Sequence, residues 1–136
     1  MSASVLLSFE SFEVTPWRDP VVEAAGWRAD TDEMLVYAQA ILGPTASTLW
    51  WRTARYVADG SSVIFAPGEF AGSFGVMPSV AAKALDRLAH FGIVRFTRVG
   101  FEIRTHVPPF PVRWQDRLPA YLADAYRNYQ RTGVAA

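Results

Sequence analysis

The chain has 136 residues, 51% of them hydrophobic and 19% charged, with thirteen basic side chains balancing thirteen acidic ones. This fits a single domain with a real core and excludes both a wholly disordered chain and a globally basic nucleic-acid binder. Cysteine is absent, which excludes disulfides, thiolate nucleophiles and Cys-ligated zinc.

No stretch approaches the ~20 apolar residues of a membrane helix, and Met1-Ser2-Ala3-Ser4 lacks the basic start of a signal peptide. The expected location is the cytoplasm. The balanced charge is unevenly spread. Residues 1–69 hold 4 Arg and 9 acidic residues, a net of −5, whereas residues 70–136 hold 8 Arg, Lys83 and 4 acidic residues, a net of +5. Two readings follow: a basic surface built by the second half, or neutralisation of that half by the first.

In chain order, the apolar, β-friendly run at 5–14 predicts a strand, with Leu7/Phe9 and Phe12/Val14 at period-two spacing and Thr15-Pro16 ending it. Asp19-Pro20 reads as a cap followed by proline at the first helical position, and Gly26 closes that short helix. Asp30 and Glu33 resemble a carboxylate capping box opening a helix over 31–42, stopped by Gly43. Pro44 starts the next helix, to about residue 58. Its wheel puts Ala46, Leu49, Trp50, Thr53, Ala54, Tyr56 and Val57 on a core side, with Arg52 and Arg55 opposite.

A short strand at 62–65 and a short helix at 67–74 precede the Gly75 turn. Pro78 opens a helix that reaches Phe91 and halts at Gly92. Strands at 93–98 and 101–107 flank a Val99-Gly100 turn. Pro108-Pro109-Phe110-Pro111 forbids further pairing, and a broken amphipathic helix follows, running over 119–130.

The order helix (44–58), strand (62–65), helix (67–74), turn, helix (78–91), strand–turn–strand (93–107) is that of a winged helix-turn-helix. The expected fold class is therefore α+β: a winged core at 42–107, an N-terminal strand and helix extension at 1–41, and a Pro-rich linker with a C-terminal helix at 108–136. The segment from Lys83 through Ala84-Leu85, Arg87-Leu88 and Phe91-Gly92-Ile93-Val94 resembles the recognition-helix exit of many bacterial winged helices. With Ile41-Leu42-Gly43-Pro44-Thr45-Ala46, Leu49 and Val107-Pro108-Pro109-Phe110-Pro111, residues 30–125 resemble a family of small uncharacterised winged-helix proteins of GC-rich bacteria. The resemblance implies the fold and brings no activity with it.

On helix 78–91, Val80, Ala81, Ala84, Leu85, Leu88 and Phe91 form the expected core face, and Ser79, Lys83, Asp86, Arg87 and His90 a polar arc. A major groove admits such a helix, where Arg or Lys can read guanine edges. The leading expectation is a double-stranded DNA-binding protein, a small bacterial or phage transcription regulator. Ser79, Lys83, Arg87 and His90 would read bases, and Arg95, Arg98 and Arg104 would contact the backbone. Asp86 argues the other way if it repels phosphate; alternatively it orients Arg87 or Lys83.

The alternative is a protein-interaction winged helix without DNA binding, favoured by the near-zero charge and the glycine–phenylalanine helix 67–74. In the tail, Trp114, Leu118, Tyr121, Leu122, Tyr126 and Tyr129 share one arc that must cover the domain or a partner. A homodimer through that helix or through the N-terminal strand is the expectation.

Catalysis is not expected, nor a cofactor. Gly68, Gly72 and Gly75 have the wrong spacing for a dinucleotide fingerprint or P-loop, and Ala71 stands where a nucleophile elbow needs glycine. Asp86 and His90 lack a nucleophile or a third ligand, and two histidines without cysteine make no metal set.

Overall fold

The computed structural model describes residues 2–132, so the last four residues of the expected 108–136 segment lie outside the described part. Eight helices and six strands are found there: α1 (Ala3–Leu6), β1 (Phe12–Trp17), α2 (Pro20–Ala25), β2 (Trp27–Arg28), α3 (Asp32–Leu42), α4 (Pro44–Tyr56), β3 (Val63–Phe65), α5 (Pro67–Gly72), α6 (Pro78–His90), β4 (Val94–Phe96), β5 (Gly100–Arg104), β6 (His106–Val107), α7 (Val112–Gln115) and α8 (Ala120–Thr132). The class is α+β, with a four-stranded sheet in the order β3-β1-β5-β4 and a small β2-β6 pair.

The expected strand at 5–14 divides. Ser2 caps a helical turn by accepting the Val5 N–H, and Ala3 and Leu6, three apart, are its buried residues. The strand begins at Phe12 and passes through Pro16. Pairing with β3 ends at Val14, so the missing N–H of Pro16 costs no bond on that side.

Nor is β1 an appended edge. It lies between β3, antiparallel, and β5, parallel. The approach to β5 demands glycine at position 100, because a Cβ there would stand 1.7 Å from the Glu13 carbonyl oxygen. Phe12 and Val14 face inward, where Phe12 meets the rings of Phe65, Phe70 and Phe101.

Helices α4 and α6 pack against each other and on the inner side of this sheet. Leu49, Trp50, Ala54, Ala81, Leu85 and Leu88 are fully buried, and the Trp50 indole donates to the Arg104 carbonyl at 2.9 Å. Tyr56 and Val80, expected in the core, are exposed at its margin, and Phe91 is half-buried. Gly92, at φ +75°, ends α6, with the Ile93 N–H returning to the Leu88 carbonyl at 2.9 Å.

Two local expectations fail for electrostatic and pairing reasons. The Asp30 carboxylate does not cap α3, because Arg28 takes it in a two-pronged pair at 2.7 and 2.9 Å. The returning strand does not run unbroken to Val107. The Thr105 carbonyl accepts the Ala29 N–H, and His106–Val107 pair with β2 instead.

The tail is part of the core. Trp114, Leu118, Leu122 and Tyr126 are buried, and the Tyr126 ring stacks on Phe110 at 4.6 Å while its hydroxyl accepts the Phe110 N–H at 2.7 Å. Tyr129 packs on Trp27 and Tyr37. Of the six residues expected at a dimer interface only Tyr121 is exposed. The stripe closes over its own domain because the linker at 108–111 folds it back onto the α3 and β2 aromatics. β1, the other expected dimer surface, pairs with β3 over Phe12–Val14 and with β5 over Glu13–Trp17.

Candidate interaction surface around helix α6

The polar arc of α6 is real, but its charges are not all free. Ser79, Lys83 and His90 are exposed along one stripe. Arg87 is exposed as well, but its guanidinium is held: its Nε donates to the Leu42 carbonyl at 2.9 Å and a terminal nitrogen to the Ile41 carbonyl at 3.1 Å. A cation there satisfies the orphan carbonyls at the end of α3 and complements its dipole. Asp86 orients neither Lys83 nor Arg87. Its Oδ1 accepts the Ala3 N–H at 3.0 Å, tying α1 to the flank of α6.

The hairpin cations are largely consumed. Register puts Arg95 opposite Glu102, and the two form an ion pair on the outer face of the sheet. Arg104 donates to the Gly92 carbonyl at 2.8 Å and to Asp19 Oδ2 at 2.9 Å. Both guanidinium groups lie over the Trp17 ring, at 4.4 Å for Arg95 and 3.9 Å for Arg104. Hydrogen bonding from Arg104, then from the Val22 amide, holds the Asp19 carboxyl below the usual aspartate range.

Arg98 occupies the hairpin turn that Thr97 fastens, its N–H donating to the Gly100 carbonyl and its hydroxyl accepting the Gly100 N–H. It shares a concavity of about 340 Å³ with Phe9, Glu10, Glu13 and Ile64. The amino-terminal arm thus touches α6 at Ala3 and the hairpin tip where the Glu13 N–H meets the Val99 carbonyl at 2.9 Å.

Of the seven residues expected on DNA, Ser79, Lys83 and His90 share one stripe and Arg98 stands at the hairpin tip. Arg87 is turned to α3, and Arg95 and Arg104 to the sheet's outer face. Apolar side chains are also exposed: Met77 just before α6, Val80 in its first turn, Val99 in the hairpin turn, and Ile64 on the edge strand β3.

Sequence reasoning missed Arg113 and Arg117, which meet His90 in a second concavity below the end of α6. Their four-residue spacing around Trp114 is the signal in the sequence, and it lies inside the apolar arc of the tail. Among the described residues no group of three or more His, Asp or Glu is gathered to hold a metal ion. No described helix is long and apolar enough to cross a membrane. No family model, curated protein or solved structure matches the chain.

Proposed function

We propose that residues 42–107 are a winged helix-turn-helix, with β4 and β5 as its wing, serving as a protein-docking module rather than a duplex reader. The element order α4, β3, α5, α6, β4, β5 supports the fold reading. The observation that carries the functional reading is the fate of Arg87, Arg95 and Arg104: each is bound to carbonyls or carboxylates of its own chain. A duplex reader needs several cations free for phosphate, since that term supplies most of the non-specific affinity. The exposed Met77, Val80, Val99 and Ile64 instead suit a partner with an apolar contact face.

A second reading, DNA binding by a small transcription regulator, rests on Lys83 and Arg98, both exposed and outside the described ion pairs. One experiment separates the two. The full chain is incubated with a pool of random duplexes and, in parallel, with lysate of its host. Capture of one protein at stoichiometric yield, lost in Met77→Glu and Val99→Glu but kept in Lys83→Ala and Arg98→Ala, supports docking. Duplex retention with the opposite dependence overturns it.

A further inference from the structure

The last turn of α6 and helix α7 enclose a concavity of about 280 Å³ lined by His90, Phe91, Arg113, Trp114 and Arg117, with no carboxylate in its wall. Arg113 lies in α7 and Arg117 in the turn that follows it; both are exposed and both line the concavity. The Arg117 guanidinium lies 5.6 Å from the Phe91 ring centre. Phe91 is edge-on to His90 at 5.7 Å and to Trp114 at 5.3 Å. Trp114, 5% exposed, is in turn edge-on to Phe110, so the floor is fixed by the core.

Most described guanidinium groups are held by their own chain, whereas Arg113 and Arg117, like Arg55 and Arg98, enter no described ion pair or carbonyl contact, and of these four only Arg113 and Arg117 line one concavity together. The described ion pairs engage Arg18, Arg28, Arg95, Arg104 and Arg127, and carbonyls engage Arg52 and Arg87. None engages Arg113 or Arg117. The nearby negative groups are diverted: Asp86, one turn before His90, holds the Ala3 amide, and the Leu88 and Ala89 carbonyls accept the Ile93 and Gly92 N–H groups. Asp116, beside Arg117 in sequence, is exposed and does not line the concavity.

We propose that this concavity is an oxyanion site that takes a phosphate monoester. Two planar guanidinium forks and an imidazole line it, a donor set that suits the three terminal oxygens of a phosphate better than the two of a carboxylate. The phosphate is either that of a small molecule or that of a phosphorylated side chain; both present the same group. The inference does not depend on the docking reading, because it uses a different end of α6 from Met77 and the hairpin tip.

The test is a titration of the full chain, following the arginine Nε–H and tryptophan indole signals by NMR. The probes are inorganic phosphate, phenyl phosphate, a phosphoserine peptide, acetate and a random DNA duplex, with sodium chloride at matched ionic strength. Saturable shifts at Arg113, Arg117 and Trp114, with inorganic phosphate binding in the ~millimolar range, are expected. Arg113→Ala and Arg117→Ala should each weaken it by about tenfold, the loss of one charge-assisted contact, while Arg117→Lys loses less. Both side chains are exposed, so unchanged signal dispersion certifies the fold, and Lys83→Ala and Arg98→Ala should leave the affinity as it is.

A tighter phosphoserine peptide assigns the group to a protein, and a tighter phenyl phosphate to a small molecule. Shifts that grow linearly with salt, equal binding of acetate, or indifference to Arg113→Ala overturns the proposal. Duplex that displaces phosphate at stoichiometric concentration reassigns the site to a nucleic-acid backbone and overturns it too.

Discussion

Arg104 and Asp19, 85 residues apart, meet in an ion pair at 2.9 Å. One comes from the basic half of the chain and the other from the acidic half. The contact locks β5 to the start of α2, where the same carboxylate accepts the Val22 N–H through its other oxygen.

This pair makes a pH prediction. The Asp19 carboxyl is lowered in the folded state, so its contribution is present above the unfolded aspartate range and disappears as pH falls through the lower folded value. Asp19→Asn keeps a capping side chain but removes the charge. Denaturant unfolding should show the variant less stable at pH 7, with the gap to the parent closing below about pH 4. A gap that persists at pH 2 would mean that the loss is of packing or capping.

Arg87 should behave as a structural residue. Arg87→Ala leaves two carbonyls of α3 without donors and should cost about 1–3 kcal/mol in chemical denaturation. Arg87→Lys should recover only part, since a single ammonium does not reproduce the fork. Unchanged stability in both variants would mean that the exposed Arg87 guanidinium is free to meet a ligand.

Tyr126 carries a comparable load in the tail. Tyr126→Phe preserves the stack on Phe110 but orphans a buried N–H, and about 1–3 kcal/mol of stability should be lost. Burial pushes the phenol above its ordinary value, so this group favours the fold up to the ordinary tyrosine range and loses that effect as pH rises through the higher folded value.

Leu122→Ala should cost about 2–5 kcal/mol by opening a cavity, with no change in the mass measured by light scattering. A mass that falls from dimer to monomer in that variant would restore the tail as an interface.

Much of the local architecture was legible. Asp19-Pro20, Gly43, Pro44 and Gly92 act on their own neighbours, and the helices they bound are where they indicate. What escaped was long-range. Period-two spacing at Phe12 and Val14 gives a strand but not its partners, so the central position of β1 could not be read. The polar arc of α6 was correct as an arc, yet the acceptors of Arg87 lie 45 residues away at the end of α3. The Arg95–Glu102 pair follows from the β4–β5 register, which the residues of the two strands do not state by themselves. The tail stripe carried two meanings, own core or partner, and the linker geometry that chose the first is not written in a helical wheel.

The cations beside α6 and its hairpin are held by their own chain: Arg87 by the Ile41 and Leu42 carbonyls, Arg95 by Glu102, and Arg104 by Asp19 and the Gly92 carbonyl. This is tested by measuring the salt dependence of random-duplex binding for the parent chain and for an Asp19→Asn, Glu102→Gln variant, which frees Arg104 and Arg95 from their carboxylates. The parent should bind negligibly at about 150 mM salt, and the variant should gain affinity at low salt with a slope steeper by about one to two units in the log–log plot. A parent that already binds duplex with a steep slope, lost in Lys83→Ala and Arg98→Ala, would contradict the claim.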